Sequence, residues 1–356
     1  MTADFSTQLI AWQKQHGRHH LPWQGTRDPY RIWLSEIMLQ QTQVTTVIPY
    51  YLRFLESFPD IASLAQAPED DVLAHWSGLG YYSRARNLHA AAKAIVERHS
   101  GIFPSAFDEI VELPGIGRST AAAISVFAFG QRRAILDGNV KRVFARQFGI
   151  EGYSGATMVT AQLWQQAEAL LPETDVEAYT QGLMDMGATL CTRSRPACER
   201  CPVATNCVAL ATGRVNELPH RKPAKALPLK QTIMLILHDR GEIMLEKRPP
   251  TGIWGGLWCF PEMPMEEDVI AFCRQRWGIE AMPNKPLPHL SHGFTHFLLN
   301  ITPQPVRVIG RTPRVTEPGH LWLQQEDALQ AAIPTPVRKL LLSMTDGPLF
   351  GSRLMG

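Results

Sequence analysis

Four of the six cysteines in the chain fall within one short stretch, CTRSRPACERCPVATNC, which runs from Cys191 to Cys207. Six, two and five residues separate successive cysteines. Thiols inside a cell stay reduced, so this clustering favours a metal group over disulfides. Four thiolates hold either zinc or an iron–sulfur cluster, and zinc sites usually bring two close pairs. Only Cys198 and Cys201 form such a pair here, and the spacing therefore favours one compact iron–sulfur cluster.

The length and composition indicate two folded domains. A chain of 356 residues is too long for one small core, and 45% hydrophobic with 19% charged residues is sufficient for ordinary cores. The N-terminus lacks a signal-peptide pattern, and no apolar run approaches the ~18 residues of a membrane span. We therefore expect a cytoplasmic, monomeric protein with no membrane partner. The net charge of +2 is weak evidence for a nucleic-acid partner. Cys259 and Cys273 stand apart and are expected to be ordinary buried residues.

The two halves of the sequence differ in pattern. Residues 1–216 carry apolar residues at helical spacing in runs such as WLSEIMLQQTQVTTVIPYYLRFL and STAAAISVFAF. Residues 217–230, ELPHRKPAKALPLK, are rich in Pro and Lys and are predicted to be a linker. Residues 231–350 contain short β-rich runs, QTIMLILHD, GEIMLEKRP, HFLLNITPQ and PVRVIGRT. The predicted fold is a mostly α N-terminal domain followed by an α/β domain.

A short turn between two helical runs, LPGIGRST at residues 113–120, is suited to binding an anion. Gly115 and Gly117 permit positive φ angles and close backbone approach. The amides that start the next helix then point toward a site where phosphate can bind. The same residues also suit an ordinary connection between helices.

The cysteine loop and the turn together resemble the endonuclease III superfamily of DNA glycosylases. The loop resembles the [4Fe–4S] loop of that family, with Cys191, Cys198, Cys201 and Cys207 as the implied ligands. The turn resembles its helix-hairpin-helix, which binds the DNA backbone without reading sequence. This resemblance implies that Gly115, Gly117 and Arg118 contact DNA.

One acidic residue follows the hairpin by about one helix. Asp137 lies in ILDGNVKR, where Asp-Gly is ordinary turn chemistry and the carboxylate could simply cap the helix that begins near Asn139. The superfamily keeps its catalytic aspartate at this place. A helix N-terminus favours an ionised carboxylate, so capping and catalysis are compatible.

A second acidic residue, Glu36, stands among apolar residues in WLSEIMLQQTQV. A desolvated glutamate has a raised pKa and can keep its proton near neutrality, although the pattern also fits a helix with one outward glutamate. The segments LPWQ, SEIMLQQTQV and GLGYYSRARNLH closely resemble the MutY family of adenine DNA glycosylases. The resemblance runs through residues 18–210.

The resemblance implies hydrolysis of the bond between adenine and its sugar after the base leaves the duplex. Glu36 is the implied acid that protonates adenine N7, and ionised Asp137 stabilises the cationic sugar. Relatives that also cut the strand carry a lysine just after the hairpin, where this chain has Ser119. A hydroxyl cannot form an imine, so the strand should stay intact. Asn139 and Ser119 are expected to line the pocket.

Other positions receive roles from the resemblance alone. Trp23, Leu39 and Gln181 are implied on the adenine side, although Trp23 and Leu39 also suit a hydrophobic core. MutY relatives often carry an acidic residue at the position of Gln181, and some carry arginine at that of His19. Gln40 and Tyr81 lie at positions that enter the duplex around the lesion.

The C-terminal half resembles a Nudix fold that cannot hydrolyse its usual substrate. Gly256–Glu262, GLWCFPE, matches the opening of a Nudix box, but the following IAFCRQRWGI has no carboxylate to hold magnesium. It resembles the C-terminal domain of the MutY family, which implies recognition of 8-oxoguanine opposite adenine. Thr295 and His296 correspond to the recognition loop, although a histidine here is often structural. The expected partner is duplex DNA with A:8-oxoguanine or A:G pairs.

Three other functions remain open at this point. An endonuclease III-like enzyme acting on oxidised pyrimidines is disfavoured by Ser119 and by the extra domain. A Nudix hydrolase that docks on DNA through its helical half is disfavoured by the missing carboxylates. An iron–sulfur redox sensor without enzyme activity is disfavoured by finding both Glu36 and Asp137 at the expected places.

Overall fold

The computed structural model describes residues 2–222, 226–311 and 319–345. Backbone contacts divide the chain into a helical unit, residues 1–66 with 87–224, and a sheet unit, residues 67–86 with 225–356. The predicted linker includes residues 223–225 and the predicted last domain includes 346–350, and both of these pieces lie outside the described residues. Within the described part of the chain, no helix combines the length and apolar character needed to cross a bilayer.

The helices of the first half lie between Thr2 and Ala211, within residues 1–216 for which the periodicity predicts them. In chain order the helices are α1 Thr2–His16, α2 Pro29–Leu39, α3 Val44–Ser57, α4 Ile61–Gln66, α5 Glu69–Trp76, α6 Ser83–His99, α7 Phe107–Glu112, α8 Arg118–Phe129, α9 Gly138–Gln147, α10 Thr157–Ala169, α11 Val176–Thr189 and α12 Val208–Ala211.

The apolar run from residue 33 to 55 forms two helices with a turn between them. Helix α2 ends at Leu39, and Gln41 adopts a left-handed φ of 58° before α3 begins. The Gln40 N–H donates to the Ile37 carbonyl and closes the helix end. The sequence pattern does not predict this end of α2, because the apolar residues keep helical spacing on both sides and the turn contains neither Gly nor Pro.

The predicted hairpin lies between α7 and α8, and its two glycines behave differently. Gly115 has a φ of 78°, and a Cβ on it would lie 2.6 Å from the Cβ of Asn87. Gly117 has a φ of −89° and open space around it, where it caps α8. Gly115 therefore uses the positive φ that a glycine permits, whereas Gly117 takes the extended backbone angles of a helix N-cap.

Two helix pairs set the geometry of the helical unit. Helix α2 packs on α8, and α9 packs on α11. Gly187 on α11 permits the second approach, since a Cβ there would lie 2.7 Å from the Cβ of Asn139. The buried core around α9 and α11 includes Phe5, Leu9, Val140, Phe144, Leu163, Leu183 and Met186.

The sheet unit contains one mixed sheet. Its strands are β1 Leu229–Asp239, β2 Glu242–Lys247, β3 Trp258–Cys259, β4 Glu262–Met263, β5 Ile279–Pro283, β6 Leu290–Gly293, β7 Leu298–Arg311 and β8 His320–Gln324. The main order is β3-β2-β1-β7-β5, with β4 on β1, β6 on β7 and β8 on β2. Strands β1 and β7 are parallel, and the other pairs are antiparallel. The helices are α13 Val269–Trp277, α14 Gln325–Gln330 and α15 Thr335–Thr345.

The α/β expectation for this half is confirmed, and two predicted strand runs, HFLLNITPQ and PVRVIGRT, join into the single long strand β7. Cys259 and Cys273 are buried, as predicted. Residues 67–86, which the sequence assigns to the helical half, pack with the sheet unit. Asp70 on α5, for example, accepts hydrogen bonds from Lys247 Nζ at 2.7 Å and Trp258 Nε1 at 3.3 Å.

Candidate active site

A large open cleft of about 2040 Å³ lies within the helical unit. Eight residues that the sequence singles out for adenine release or duplex contact line it: Trp23, Glu36, Leu39, Gln40, Ser119, Asp137, Asn139 and Gln181. They come from α2, the start of α8, the start of α9, α11 and the loop before α2. The fold therefore gathers at one surface residues that are far apart in sequence.

Glu36 is the carboxyl group that favours its neutral form. It lies on α2, where Ser35 and Ile37 on either side in sequence are buried, and it is partly exposed and lines the cleft. Burial, and secondly the nearby negative charge of Asp137, raise the pKa of Glu36 to about 8. The alternative of an ordinary outward glutamate does not fit this environment.

Asp137 is both a helix cap and a cleft residue. Its Oδ1 accepts a hydrogen bond from the Val140 N–H at 2.7 Å, at the N-terminus of α9. Burial raises the pKa of Asp137 above its ordinary value, whereas the amides of Val140 and Asn139 and the charge of Arg142 act in the opposite direction. These partners favour the ionised form, so the environments of the two carboxyl groups differ.

Ser119 and Asn139 connect the cleft to the surrounding helices. Ser119 Oγ accepts a hydrogen bond from the Leu136 N–H at 2.9 Å, which ties the start of α8 to the backbone just before Asp137. Asn139 Oδ1 accepts from Arg142 Nη2 at 2.9 Å. Both side chains are therefore held by neighbours on the wall of the cleft.

A buried carboxylate that the sequence analysis missed orients two cleft residues. Asp185 on α11 is only 1% exposed. It accepts hydrogen bonds from Arg18 Nε at 2.7 Å, from the Arg18 backbone N–H at 2.8 Å and from Gln181 Nε2 at 2.8 Å. Arg18 and Gln181 both line the cleft. The available signal was an Asp four residues after Gln181, within an otherwise apolar helical run.

The apolar members of the cleft wall also belong to the core. Trp23 is 8% exposed and packs edge-on against Tyr51, with ring centroids 5.3 Å apart. Leu39, at the end of α2, is partly exposed to the cleft. His19 also lines the cleft, and its Nε2 lies 3.0 Å from the Gln13 carbonyl oxygen. Core and cleft roles are thus compatible for Trp23.

Of the hairpin residues implied to contact DNA, Gly115, Gly117 and Arg118 immediately precede Ser119 and are not among the residues that line the cleft. Arg118 stacks on the ring of Trp164 at 3.9 Å and forms an ion pair with Glu168. This ion pair is about half exposed, and such pairs contribute little to stability. The Arg118 guanidinium is therefore held in place but accessible.

The four clustered cysteines surround one small cavity. Cys191, Cys198, Cys201 and Cys207 all line it, and none forms a disulfide. Burial, followed by the nearness of the other three thiols, raises the pKa of Cys201 to about 11. Buried Arg146 donates from Nη1 toward Cys191 Sγ at 3.4 Å. Among the described residues, no three His, Cys, Asp or Glu side chains converge on the position of a single metal ion.

The remaining predicted contact residues lie in the sheet unit. Tyr81 is 47% exposed and has a left-handed φ of 50°. Thr295 and His296 are exposed in the loop between β6 and β7, which the Phe294 N–H closes by donating to the Phe297 carbonyl at 2.8 Å. The rings of Phe294 and Phe297 stack with centroids 4.5 Å apart. The loop is therefore held by its aromatic residues and presents the two polar ones.

Two family models match separate parts of the chain. Residues 34–169 match the HhH-GPD superfamily of base excision DNA repair proteins. Residues 232–343 match the NUDIX domain. The protein is therefore a DNA glycosylase of the helix-hairpin-helix class that carries a Nudix-like domain.

Curated relatives define the family more narrowly. The adenine DNA glycosylase of Buchnera aphidicola subsp. Acyrthosiphon pisum is 36% identical over 342 residues, which are 95% of this chain and 96% of that protein. The human adenine DNA glycosylase is 33% identical over 400 residues, covering 94% of this chain and 73% of that one. The chain belongs to the adenine DNA glycosylases.

A solved structure supports the fold of the helical part. A thermostable thymine-DNA glycosylase superposes with a TM-score of 0.54 and is 30% identical, covering 59% of this chain and 97% of that one. The expected helical glycosylase fold is confirmed, as is the Nudix-like half.

Glu36→Gln is expected to stabilise the protein increasingly between about pH 4.5 and pH 8. Below pH 4.5 the glutamate is protonated in both the folded and the unfolded protein. Between these values the unfolded chain loses the proton and the folded protein keeps it, so wild-type stability falls by about 1.4 kcal/mol per pH unit. Above pH 8 both states are ionised and the difference is constant. The variant should therefore gain about 3 kcal/mol near pH 7.

Midpoints of thermal unfolding at pH 5 and pH 8 measure this effect. The control is Glu56→Gln on α3, an exposed glutamate whose replacement should leave the midpoint almost unchanged at both values. If Glu36→Gln changes the unfolding midpoint by the same amount at pH 5 and at pH 8, burial of a neutral Glu36 is contradicted.

Proposed function

We propose that this adenine DNA glycosylase hydrolyses the N-glycosidic bond with Glu36 as the acid and Asp137 as the stabilising carboxylate. The observation that carries the proposal is that both side chains line one cleft, where amides and Arg142 oppose the effect of burial on the pKa of Asp137, whereas burial and Asp137 both raise the pKa of Glu36. Adenine is a poor leaving anion, and protonation at N7 by a neutral carboxylic acid makes it a good one. An ionised carboxylate then stabilises the positive charge that develops on the sugar.

The electrostatics support this assignment of roles. A pKa of about 8 keeps Glu36 mostly protonated at neutral pH. Asp137 accepts hydrogen bonds from the amides at the start of α9, and these donors stabilise its charge. The negative charge of Asp137 in turn helps Glu36 to keep its proton. The pair follows the arrangement of glycosidases, in which two carboxyl groups take opposite roles.

Ser119 and Asn139 are proposed to shape the site around Asp137. Ser119 accepts from the Leu136 N–H, which holds the backbone that leads into Asp137. Its hydroxyl proton remains able to donate toward the site. A serine here cannot form the imine through which relatives cut the strand. The product is therefore an abasic site in an intact strand.

The pocket for the flipped adenine is proposed to consist of Trp23, Leu39 and Gln181. Asp185 accepts a hydrogen bond from the Gln181 side-chain amide, which orients that amide and leaves the Gln181 oxygen as an acceptor. An acceptor suits the 6-amino group of adenine, which is a donor. Trp23 and Leu39 supply apolar contact for the base ring.

Contacts with the duplex are proposed at two kinds of position. Gly115, Gly117 and Arg118 bind the backbone phosphates through the hairpin, where amides at the start of α8 face an anion. Gln40 and Tyr81 enter the duplex beside the lesion. Tyr81 and Gln41, the neighbour of Gln40, both have left-handed backbone angles, a strain that folds tend to keep at functional positions.

The base opposite adenine is proposed to be 8-oxoguanine, recognised by Thr295 and His296. Their side chains are exposed on a loop whose phenylalanine rings pack together. Both side chains offer hydrogen-bonding groups to an oxidised base. One chain carries both the cleft and this loop, and we propose that it works as a monomer on chromosomal DNA in the cytoplasm.

The four clustered cysteines are proposed to hold a [4Fe–4S] cluster. All four thiols line one cavity, and Arg146 provides positive charge beside Cys191. Four thiolates are the ligand set that such a cluster requires. When bound, the cluster supplies a rigid crosslink for the loop that follows α11.

Glu36→Gln and Asp137→Asn are each expected to lower single-turnover adenine release by about a thousandfold, the usual range for loss of an acid–base group. The substrate is a duplex with one A:8-oxoguanine pair, labelled on the adenine strand, and abasic sites are counted on a gel after alkali. Without alkali the strand should stay whole. In the wild type the rate should fall about tenfold per pH unit above pH 8, as Glu36 loses its proton.

Binding to the same duplex should survive both substitutions, and Glu56→Gln serves as the matched surface control. Near-normal release by either variant would defeat the assignment of that residue. A covalent enzyme–DNA adduct trapped by borohydride would defeat the proposal of simple hydrolysis.

Cys198→Ser and Cys201→Ser are expected to lose the cluster, because each removes one of four thiolates. Wild-type protein purified without oxygen should contain about four irons and four acid-labile sulfides per chain. Cys273→Ala, which removes a thiol from the sheet unit, should keep full iron content. One zinc per chain without sulfide would refute the cluster.

Thr295→Ala combined with His296→Ala is expected to reduce the preference for A:8-oxoguanine over A:G by about tenfold, the effect of one or two lost hydrogen bonds. The measurement is the ratio of single-turnover rates on the two duplexes. Thr302 on β7 and His289 just before β6 form a second exposed Thr–His pair in the sheet unit, with Oγ1 and Nδ1 3.1 Å apart. Their double alanine variant is the matched control. An unchanged ratio in the loop variant would refute the recognition role.

A further inference from the structure

The exposed Tyr81 occupies a turn with unusual backbone angles. Gly78, Gly80 and Tyr81 have φ angles of 105°, 73° and 50°, all in the left-handed region. Glycine adopts such angles freely, but tyrosine does so at a cost of about 1–3 kcal/mol. Surrounding contacts must therefore hold the turn in this shape.

One set of contacts comes from the residues that immediately flank the turn. Arg84 is 7% exposed, and its Nη2 donates to the carbonyls of Leu79 at 3.3 Å and Gly80 at 3.1 Å. Its guanidinium lies 5.6 Å from the centre of the Tyr81 ring. Trp76 Nε1 donates to the same Gly80 carbonyl at 3.3 Å. These contacts fix the inner side of the turn.

A second set comes from the C-terminal segment of the same unit. The Ile333 carbonyl accepts hydrogen bonds from Ser77 Oγ at 2.8 Å and from Tyr82 Oη at 3.3 Å. These two donors stand on either side of the turn, and Tyr82 Oη also accepts from the Gly78 N–H at 3.3 Å. Arg338 Nη2 donates to Ser77 Oγ at 3.2 Å. One backbone oxygen near the C-terminus therefore ties both ends of the turn.

We propose that Ser77 and Tyr82 are positioning residues that clamp the Tyr81 turn onto the Ile333 carbonyl and thereby set where Tyr81 enters the duplex. The proposal rests on the role of Tyr81 proposed above. It assigns to the segment around Ile333 a function in lesion recognition that is separate from the Thr295 loop. Loss of the clamp should leave Glu36 and Asp137 in place but allow Tyr81 to leave its strained conformation.

Insertion of Tyr81 can be followed with 2-aminopurine placed beside the lesion, because unstacking of this base raises its fluorescence. Tyr82→Phe removes one hydroxyl and keeps the ring, and Ser77→Ala removes the other. The double variant should show a fluorescence rise that is about threefold to tenfold smaller, as expected for the loss of two hydrogen bonds. The ratio of the rate on A:8-oxoguanine to the rate on A:G should fall by a similar factor. Ser343→Ala removes a hydroxyl from α15 that donates to Leu340, and should change neither quantity.

A double-mutant cycle with Tyr81→Ala separates positioning from general destabilisation. Once Tyr81 is absent, Tyr82→Phe should cause no further loss of the rate ratio. Equal losses by Tyr82→Phe with and without Tyr81 would overturn the clamp, as would normal fluorescence in the combined Ser77 and Tyr82 variant. If Tyr81→Ala itself leaves both quantities unchanged, the proposed role of Tyr81 fails and the clamp fails with it.

Discussion

The buried electrostatic pair of Glu36 and Asp137 is the constraint on which the active site depends. Two neighbouring carboxylates that are removed from water cannot both carry charge at low cost. The fold resolves this conflict by giving hydrogen-bond donors to Asp137 and apolar neighbours to Glu36. This difference in environment lowers the cost of placing the two carboxyl groups together. It also favours Glu36 as the acid and Asp137 as the anion in the proposed reaction. Destabilisation of the folded state by one buried carboxyl is therefore part of how the chemistry is achieved.

Sequence periodicity predicts the helices around this pair because an amphipathic helix depends on local spacing. It does not predict the buried Asp185, because burial of a carboxylate is decided by partners such as Arg18 that lie far away in sequence. It also misses the turn after Leu39, since the residues there have no strong turn preference. The hairpin glycines show the same limit, because positive φ at Gly115 and extended backbone at Gly117 follow from their neighbours.

Residues 67–86 show how a sequence boundary and a packing boundary can differ. The chain reads as helical on both sides of this segment, and pattern alone has no reason to separate it. Its partners, among them Lys247 and the Ile333 carbonyl, lie more than 150 residues later. The chain thus contributes Tyr81 to the unit that carries Thr295, whereas Glu36 belongs to the other unit. Tyr81, Thr295 and His296 therefore share one packed unit, whereas Gln40 belongs to the unit of Glu36.

Two carboxylates near the Nudix-like motif are paired with guanidinium groups. Glu262, at the end of the GLWCFPE motif, is paired with Arg248 at 2.7 Å. Helix α13 has no carboxylate in its sequence, and its Arg276 pairs with Glu246. A divalent cation needs several anionic oxygens that are not already neutralised, and guanidinium groups occupy two of these carboxylates. Among the described residues, Glu262 and Glu246 are therefore already neutralised by cationic side chains of the protein itself.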